Sequence, residues 1–366
     1  MPRSGVSNAI AVGLLIVGML VVVGGFFVTT TYQTKTLTQT ETTTATLTTT
    51  ATAIQSGTET ASLTTTTTVT QTKTTVSKAT ATATATVTLL DCNIVITTNT
   101  TLSSNIGPCS GDGFIVAASG ITLNCAGHTI SGPFISVQPP YFNLNITGIS
   151  LSGTSDVTVE NCNVTEFAFG FVLSNSSADT FTRNTADNDS YGLYQYRSSN
   201  DSITNTTAND DSVSGFFLSD SNASTLAGNT ANRDASGIGL YLSYNNTLTG
   251  NSANHNTYDG IDLVNSSSNT LVGNTANDND YNEAGFTLVA SNDNTLTRNT
   301  ADDNPGFGFW IVMSSSGNKF TSNIADFNGE YGYYDDSSGS GTRGTANTYT
   351  SNTCVLGGGS WPAGLC

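Results

Sequence analysis

Charge is scarce in this chain. Asp, Glu, Lys and Arg make up 10% of its 366 residues, against about a quarter in ordinary globular proteins, so salt-bridged helical surfaces are excluded as its organising device. Histidine occurs twice and methionine three times, which leaves little imidazole or thioether for a transition-metal centre. No C-x-x-C occurs, and His128 and His255 are not spaced as paired ligands, so a zinc module is not supported. Helix-capping patterns and a 3.6-residue period are absent from the repeating part of the chain. Basic residues are few as well. Two of the 27 acids and four of the ten bases (Arg3, Lys35, Lys73 and Lys78) precede position 89, leaving 25 acids against six bases beyond it. Such a balance repels phosphate backbones and excludes nucleic acid as a partner, whereas cations and neutral glycans suit it.

What is present falls into blocks. Residues 1–8 form a short flank, expected on the cytoplasmic side because it carries Arg3. Ala9 to Val28 holds no charge over twenty residues, and as a helix it would span roughly 30 Å of hydrocarbon. It is expected to be an uncleaved transmembrane anchor, its apolar stretch being longer than that of a cleaved secretory signal. Residues 29–88 are a Thr-rich, low-complexity tract, too poor in large apolar side chains to offset the entropy of ordering, and are expected to form a disordered, extended stalk. Residues 89–366 would then be a folded domain displayed outside the cell.

That domain repeats itself. Leu248-Thr-Gly-Asn251-Ser-Ala, Leu271-Val-Gly-Asn274-Thr-Ala and Leu296-Thr-Arg-Asn299-Thr-Ala mark one register, whose equivalent positions run Cys162, Asn184, Thr206, Asn229, Asn251, Asn274, Asn299, Asn323 and Asn352. Most spacings are 22 to 25 residues. A second marker is Gly followed by an apolar, any and apolar triplet, as in Gly215-Phe-Phe-Leu218 and Gly260-Ile-Asp-Leu263. Such alternation reads as a strand with one buried face. No unit could enclose a core alone, so coils must stack about 4.8 Å apart, and nine or so give a rod roughly 45 Å long. The fold class expected is all-β, a right-handed parallel β-helix. Asn suits the recurring position because its amide can bond up and down the stack and tolerates the left-handed backbone of a corner.

Spacing locates the variable edge. From Gly170, Gly192, Gly215, Gly237, Gly260 and Gly285 to Phe181, Ile203, Leu226, Leu248, Leu271 and Leu296 is always eleven residues, so insertions gather between the Asn position and the following Gly. Asp187, Asp189, Asp210, Asp211, Asp234, Asp259, Asp278, Asp280, Glu283, Asp302, Asp303, Asp326 and Glu330 all fall in that stretch. They are either turn residues screened by water or, for Asp210, Asp211, Asp234, Asp259, Asp278, Asp280, Glu283, Asp302 and Asp303, candidates to bridge calcium. Residues two after each Gly should point outward, which offers Tyr194, Phe217 and Trp310, with Tyr196 and Tyr241 in the next row, as a platform for stacking on sugars. For hydrolysis, Asp259 with Asp262 or Asp234 with Asp262 could supply the two carboxyls a glycosidase needs. Carboxylates are too plentiful for this to single out a catalytic pair.

The six cysteines, Cys92, Cys109, Cys125, Cys162, Cys354 and Cys366, suit an oxidising compartment. Cys92 with Cys109 and Cys354 with Cys366 are the favoured pairs; Cys125 and Cys162 pair or stack as thiols on neighbouring coils. Ten N-x-S/T sequons, at Asn99, Asn145, Asn163, Asn175, Asn188, Asn200, Asn205, Asn222, Asn245 and Asn265, avoid the stacked Asn positions and are candidate glycosylation sites.

Leu89 to Gly132, above all Ile121-Thr-Leu-Asn-Cys-Ala-Gly-His-Thr-Ile-Ser-Gly132, resembles the opening coil of NosD-type, pectate-lyase-like β-helix proteins, also called carbohydrate-binding and sugar-hydrolase domains. The resemblance covers about three quarters of the chain and implies a right-handed β-helix of the cell surface. It implies little about chemistry, because that fold hosts lyases, hydrolases, epimerases and inert surface proteins. The copper association of the NosD name finds few donors here: Met313, His128 and His255 are the domain's only methionine and histidines. The reading that results is a surface module binding glycans or divalent cations, with a polysaccharide-modifying enzyme on the same scaffold as the alternative.

Overall fold

The structure is a computed structural model that describes residues 92–133, 146–280, 283–354 and 358–366 with their side chains and, before them, the backbone of five strands. Contacts divide the chain into two units, Met1–Asp91 and Cys92–Cys366. In the first unit Val21–Val23, Phe26–Tyr32 and Ala83–Thr88 form an antiparallel sheet, and Thr42–Ile54 pairs with Thr60–Thr72. This differs from the expected apolar helix and disordered stalk. The described part of the 9–28 stretch is extended, residues 9–20 and 24–25 lie outside the described residues, and no described helix is long and apolar enough to cross a membrane. Valine and threonine branch at Cβ, which disfavours helix and favours the extended chain.

The second unit is a parallel solenoid of three sheets. The main sheet has 12 strands, from Ile94–Ile96 through Tyr191–Tyr196, Ser236–Tyr241 and Phe307–Val312 to Ser360–Trp361. A back sheet of 11 strands runs from Thr100–Thr101 to Thr348–Thr350. A short sheet of five, Thr129–Ser131 to Thr230–Asn232, continues as single bridges from Ser252 to Thr353. The stack is longer than the nine coils read from the repeat, because its two opening coils, at Ile94 and Phe114, lack the Asn-Ser/Thr-Ala register.

Each coil turns the same side chains inward, so the core is a set of columns. Phe171, Leu193, Phe216, Ile238, Ile261, Phe286 and Phe309 lie along one line beneath the main sheet, all fully buried. Phe181, Ile203, Leu226, Leu248, Leu271 and Leu296 line the back sheet. Each such side chain contributes about 1.5–3 kcal/mol by leaving water.

The Asn register is an interior ladder. The Asn251 backbone N–H donates to Asn274 Oδ1 at 2.9 Å, while Asn274 Nδ2 donates to Leu248 O at 2.9 Å and Asn299 Oδ1 at 3.0 Å. The pattern recurs through Asn299, Asn323 and Asn352. The ladder residues do not take the left-handed backbone that the sequence suggested. That conformation falls on the residue before each of them: Arg183, Asn205, Gly228, Gly250, Gly273, Arg298 and Ser322 all have positive φ. The turn needs one left-handed residue to swing the next side chain inward, and only that next one must be Asn.

The other fixed letters of the repeat explain one another. At Gly260 an added Cβ would sit 2.7 Å from Ala276 Cβ, 2.7 Å from Asn279 Nδ2 and 2.8 Å from Gly285 O. Glycine on the main sheet, alanine on the short sheet and a second interior ladder therefore meet at one corner, where none has room for a larger neighbour. The disulfides Cys92–Cys109, Cys125–Cys162 and Cys354–Cys366 all form, and no described cysteine is free.

Candidate functional site

The acidic stretch that looked like one edge is four separate environments, because alternation sends consecutive residues to opposite sides of the wall. Asp189, Asp211 and Asp234 point inward as members of the corner ladder: Asp211 Oδ1 accepts from Asp189 N at 2.7 Å and Asp234 Oδ1 from Asp211 N at 2.8 Å. Asp187 and Asp302 sit on an outer ladder, accepting from Asn209 N and Asp326 N. Asp210, Asp278 and Asp303 occupy left-handed corners in solvent, Asp210 held by both Arg233 Nε (2.8 Å) and Nη2 (2.7 Å). Asp280 is exposed, and Glu283 lies beside the main sheet near Asp259. The calcium candidates are thus not brought together; among the described residues no group of three or more His, Cys, Asp or Glu is arranged to hold a metal.

Asp234 is 1% exposed on the inner side of the wall, so it cannot act with Asp262, which lies on the outer face of the main sheet. Asp259 and Asp262 do share that face. Thr287, paired in register with Asp262, donates its hydroxyl to Asp259 Oδ1 at 2.6 Å, and the Ala284 N–H donates to the same oxygen at 3.1 Å. Burial pushes Asp262 up to about 8, with the charge of Asp259 adding to it. Burial likewise raises Asp259 to about 6, against the two hydrogen bonds it accepts. Of the two, Asp262 is therefore the carboxyl that keeps its proton to the higher pH.

Aromatic clusters flank this waist. On one side Phe169 stacks on Tyr191 at 5.3 Å, and Tyr194 lies parallel to Phe217 at 5.9 Å and to Tyr196 at 6.3 Å. On the other, Phe307 stacks on Trp310 at 5.2 Å, and Tyr334 on Trp361 at 5.1 Å. Of the aromatic residues picked out in the sequence, Tyr194, Tyr196 and Phe217 belong to the first cluster and Trp310 to the second. Tyr241, 42% exposed, stands in the row beside Ser219 and Val264. Phe169, Tyr191, Phe307 and Tyr331 were missed, although an aromatic residue directly before the repeat Gly recurs at all four. Gly239 lies where the first cluster meets the waist; a Cβ there would come within 2.8 Å of the Phe217 ring and 3.0 Å of Asp262 Oδ1.

The sequons Asn175, Asn188, Asn200, Asn205, Asn245 and Asn265 are exposed left-handed corner residues. Asn99 is exposed too, whereas Asn163 and Asn222 are half-buried and hydrogen-bonded to Gly127 O and Tyr244 N; Asn145 lies outside the described residues.

Two family models match the sequence. One, described as a right handed beta helix region, covers residues 170–325 and 231–362. The other, described as periplasmic copper-binding protein (NosD), covers residues 21–244, more than half of the chain. The chain belongs to the NosD family. No curated protein matches it. Among solved structures, this NosD protein is similar to the periplasmic alginate epimerase AlgG (TM-score 0.54, 16% identity, 69% of this chain and 65% of that one). It is also similar to the A-module of the Azotobacter vinelandii mannuronan C-5 epimerase AlgE6 (0.53, 14%, 74% and 86%) and to the catalytic domain of a GH87 alpha-1,3-glucanase (0.51, 16%, 74% and 59%). At these identities the likeness shows the fold alone, and the chain spans 65% of the AlgG structure's length.

The family's description names copper, but the donors of this NosD chain do not fit it. All six cysteines are in disulfides, Met313 is a lone exposed corner residue, His128 Nδ1 lies 3.3 Å from Asn105 Oδ1, and His255 stands in solvent at a corner of a different coil. Among the described residues no soft or imidazole ligand faces another.

Proposed function

We propose that this protein is displayed outside the cytoplasm and binds a glycan chain along the outer face of its main sheet, with the apolar run at 9–28 serving export or attachment. The observation that carries this is the placement of two stacked aromatic clusters at either end of a carboxyl-lined waist, in register along one sheet. Aromatic faces take sugar rings by stacking, and carboxyls take their hydroxyls. The description of the family as periplasmic and the carbohydrate-active structures that share the fold support the reading.

The carboxyl pair favours a second reading, hydrolysis of the bound chain. Asp262, protonated near neutral pH, is suited to protonate a leaving oxygen, and the ionised Asp259 to act as base or nucleophile. Affinity electrophoresis of the full chain against a panel of polysaccharides tests the binding, with Trp310→Ala expected to weaken retardation about tenfold. Retardation unchanged in Trp310→Ala and Tyr194→Ala would place binding elsewhere. New reducing ends that vanish in Asp262→Asn would establish the second reading; their absence would leave a binding protein.

A further inference from the structure

The charge around the aromatic strip narrows what kind of glycan it can hold. The second unit contains six basic residues. Arg183 follows the back sheet and pairs with Glu160 at 2.7 Å; Arg298 follows the same sheet and Lys319 lies within it. Arg233 pairs with Asp210 at the corner that ends the short sheet, and Arg343 lies in the single turn at Thr342–Gly344. Arg343 reaches only the far end of the main sheet, against Gly364 past its last strand, and Arg197 borders the sheet itself. There it lies 4.8 Å from the centre of the Tyr196 ring, with Asp220 at 3.8 Å. The waist itself presents Asp259 and Asp262, with Glu283 beside them. A polyuronate laid along this strip would bring a carboxylate on every sugar against Asp259 and Glu283, while Asp262 offers no counter-charge.

The strip nevertheless suits an uncharged chain. Phe217, Gly239, Asp262, Thr287 and Trp310 follow one another in register, so at the parallel-strand spacing the two clusters lie about 19 Å apart along the rod. Several sugar rings fit between. The edge of Phe217 and an oxygen of Asp262 close over Gly239, within 2.8 Å and 3.0 Å of where a Cβ would stand, so an aromatic ring able to stack on one sugar face stands beside a carboxyl able to accept neighbouring hydroxyls. Resting on the binding face proposed above, we infer that its ligand is a neutral hexose polymer running parallel to the solenoid axis, and that polyuronates are rejected.

The test is affinity electrophoresis of the full chain in gels containing, separately, β-1,3-glucan, α-1,3-glucan, mannan, xyloglucan, alginate and polygalacturonate, each at low and high salt. The expected result is retardation by at least one neutral polymer, insensitive to salt and weakened about tenfold by Asp262→Ala or Trp361→Ala, with none by alginate or polygalacturonate. Trp361 is 46% exposed at the last strand, so its variant should fold even if Asp262→Ala does not. Retardation by either polyuronate equal to that by the best neutral polymer would overturn the inference while leaving the binding face standing. Retardation by no polymer would remove the face as well.

Discussion

The corner ladder is written in two alphabets. In three successive coils it is Asp189, Asp211 and Asp234; in the next four it is Asn256, Asn279, Asn304 and Asn328. The geometry is shared. Asp234 Oδ2 lies 2.6 Å from a Cβ built on Gly215, and Asn256 Nδ2 lies 2.7 Å from one built on Gly237, so the second oxygen stands where the amide nitrogen stands. The bonding differs. Asn256 Nδ2 donates to Ala231 O at 3.2 Å and Asn279 Oδ1 at 3.1 Å, whereas Oδ2 of Asp189, Asp211 and Asp234 is buried without a partner. A carboxyl can replace an amide in this slot without loss only when it carries a proton to donate. Burial raises all three well above the ordinary range, Asp234 to about 8, and the charges of Glu166, Asp187 and Asp210 on the neighbouring corners add to this while Arg233 opposes it.

That contrast can be broken most strongly by pH. An acid whose folded pKa is raised stabilises the fold fully below its unfolded pKa and loses that contribution as pH rises through the folded value. Asp179 and Asp201, at about 6 and about 7, act in the same direction. The domain should therefore be most stable near pH 4 and lose on the order of 4 kcal/mol by about pH 8, read as a falling urea midpoint. The triple variant Asp189→Asn, Asp211→Asn, Asp234→Asn should flatten part of that slope, leaving the share of Asp179, Asp201, Asp259 and Asp262; an unchanged slope would mean that these three carboxyls ionise without cost.

On the amide side, Asn304→Ala strands Ala276 O and the backbone N–H of Asn279 together, and should cost about 3 kcal/mol at any pH. A cost that varied with pH would contradict the division between the two halves. Gly260→Ala would force Ala276 and Asn279 apart, at about 2 kcal/mol by thermal melting. The smallest effect belongs to the corner: Arg298, with φ 53°, should gain about 1 kcal/mol on replacement by Gly, because the left-handed backbone then carries no Cβ penalty. Destabilisation there would show that the Arg298 side chain contributes more than its backbone strain costs.

Much of this was legible because one coil predicts the next. Leu-x-x-Asn, the alanine two positions on and the Gly-led strand each fix a column, and a fault in any of them would recur every turn. The face of Tyr194, Phe217 and Trp310 followed from strand alternation alone. What could not be read were distinctions between adjacent residues of one kind. Asp210 and Asp211 look alike in sequence, yet the left-handed residue turns the first to solvent and the second inward. The opening coils, placed by resemblance, escaped the repeat count because Ile94 and Phe114 lie in coils without the repeat's Asn, and Val21–Val23 reads equally as apolar helix or strand when only its hydropathy is weighed.

The two tryptophans of the chain, Trp310 and Trp361, both belong to the aromatic clusters of the main sheet. Tryptophan emission, excited selectively at the red edge of the aromatic band, therefore reports on the proposed binding face. Titration with the neutral polysaccharide that retards the protein in gels should shift or quench tryptophan emission along a saturable curve matching the binding curve. Saturable binding that leaves the emission of both tryptophans unchanged would contradict the account.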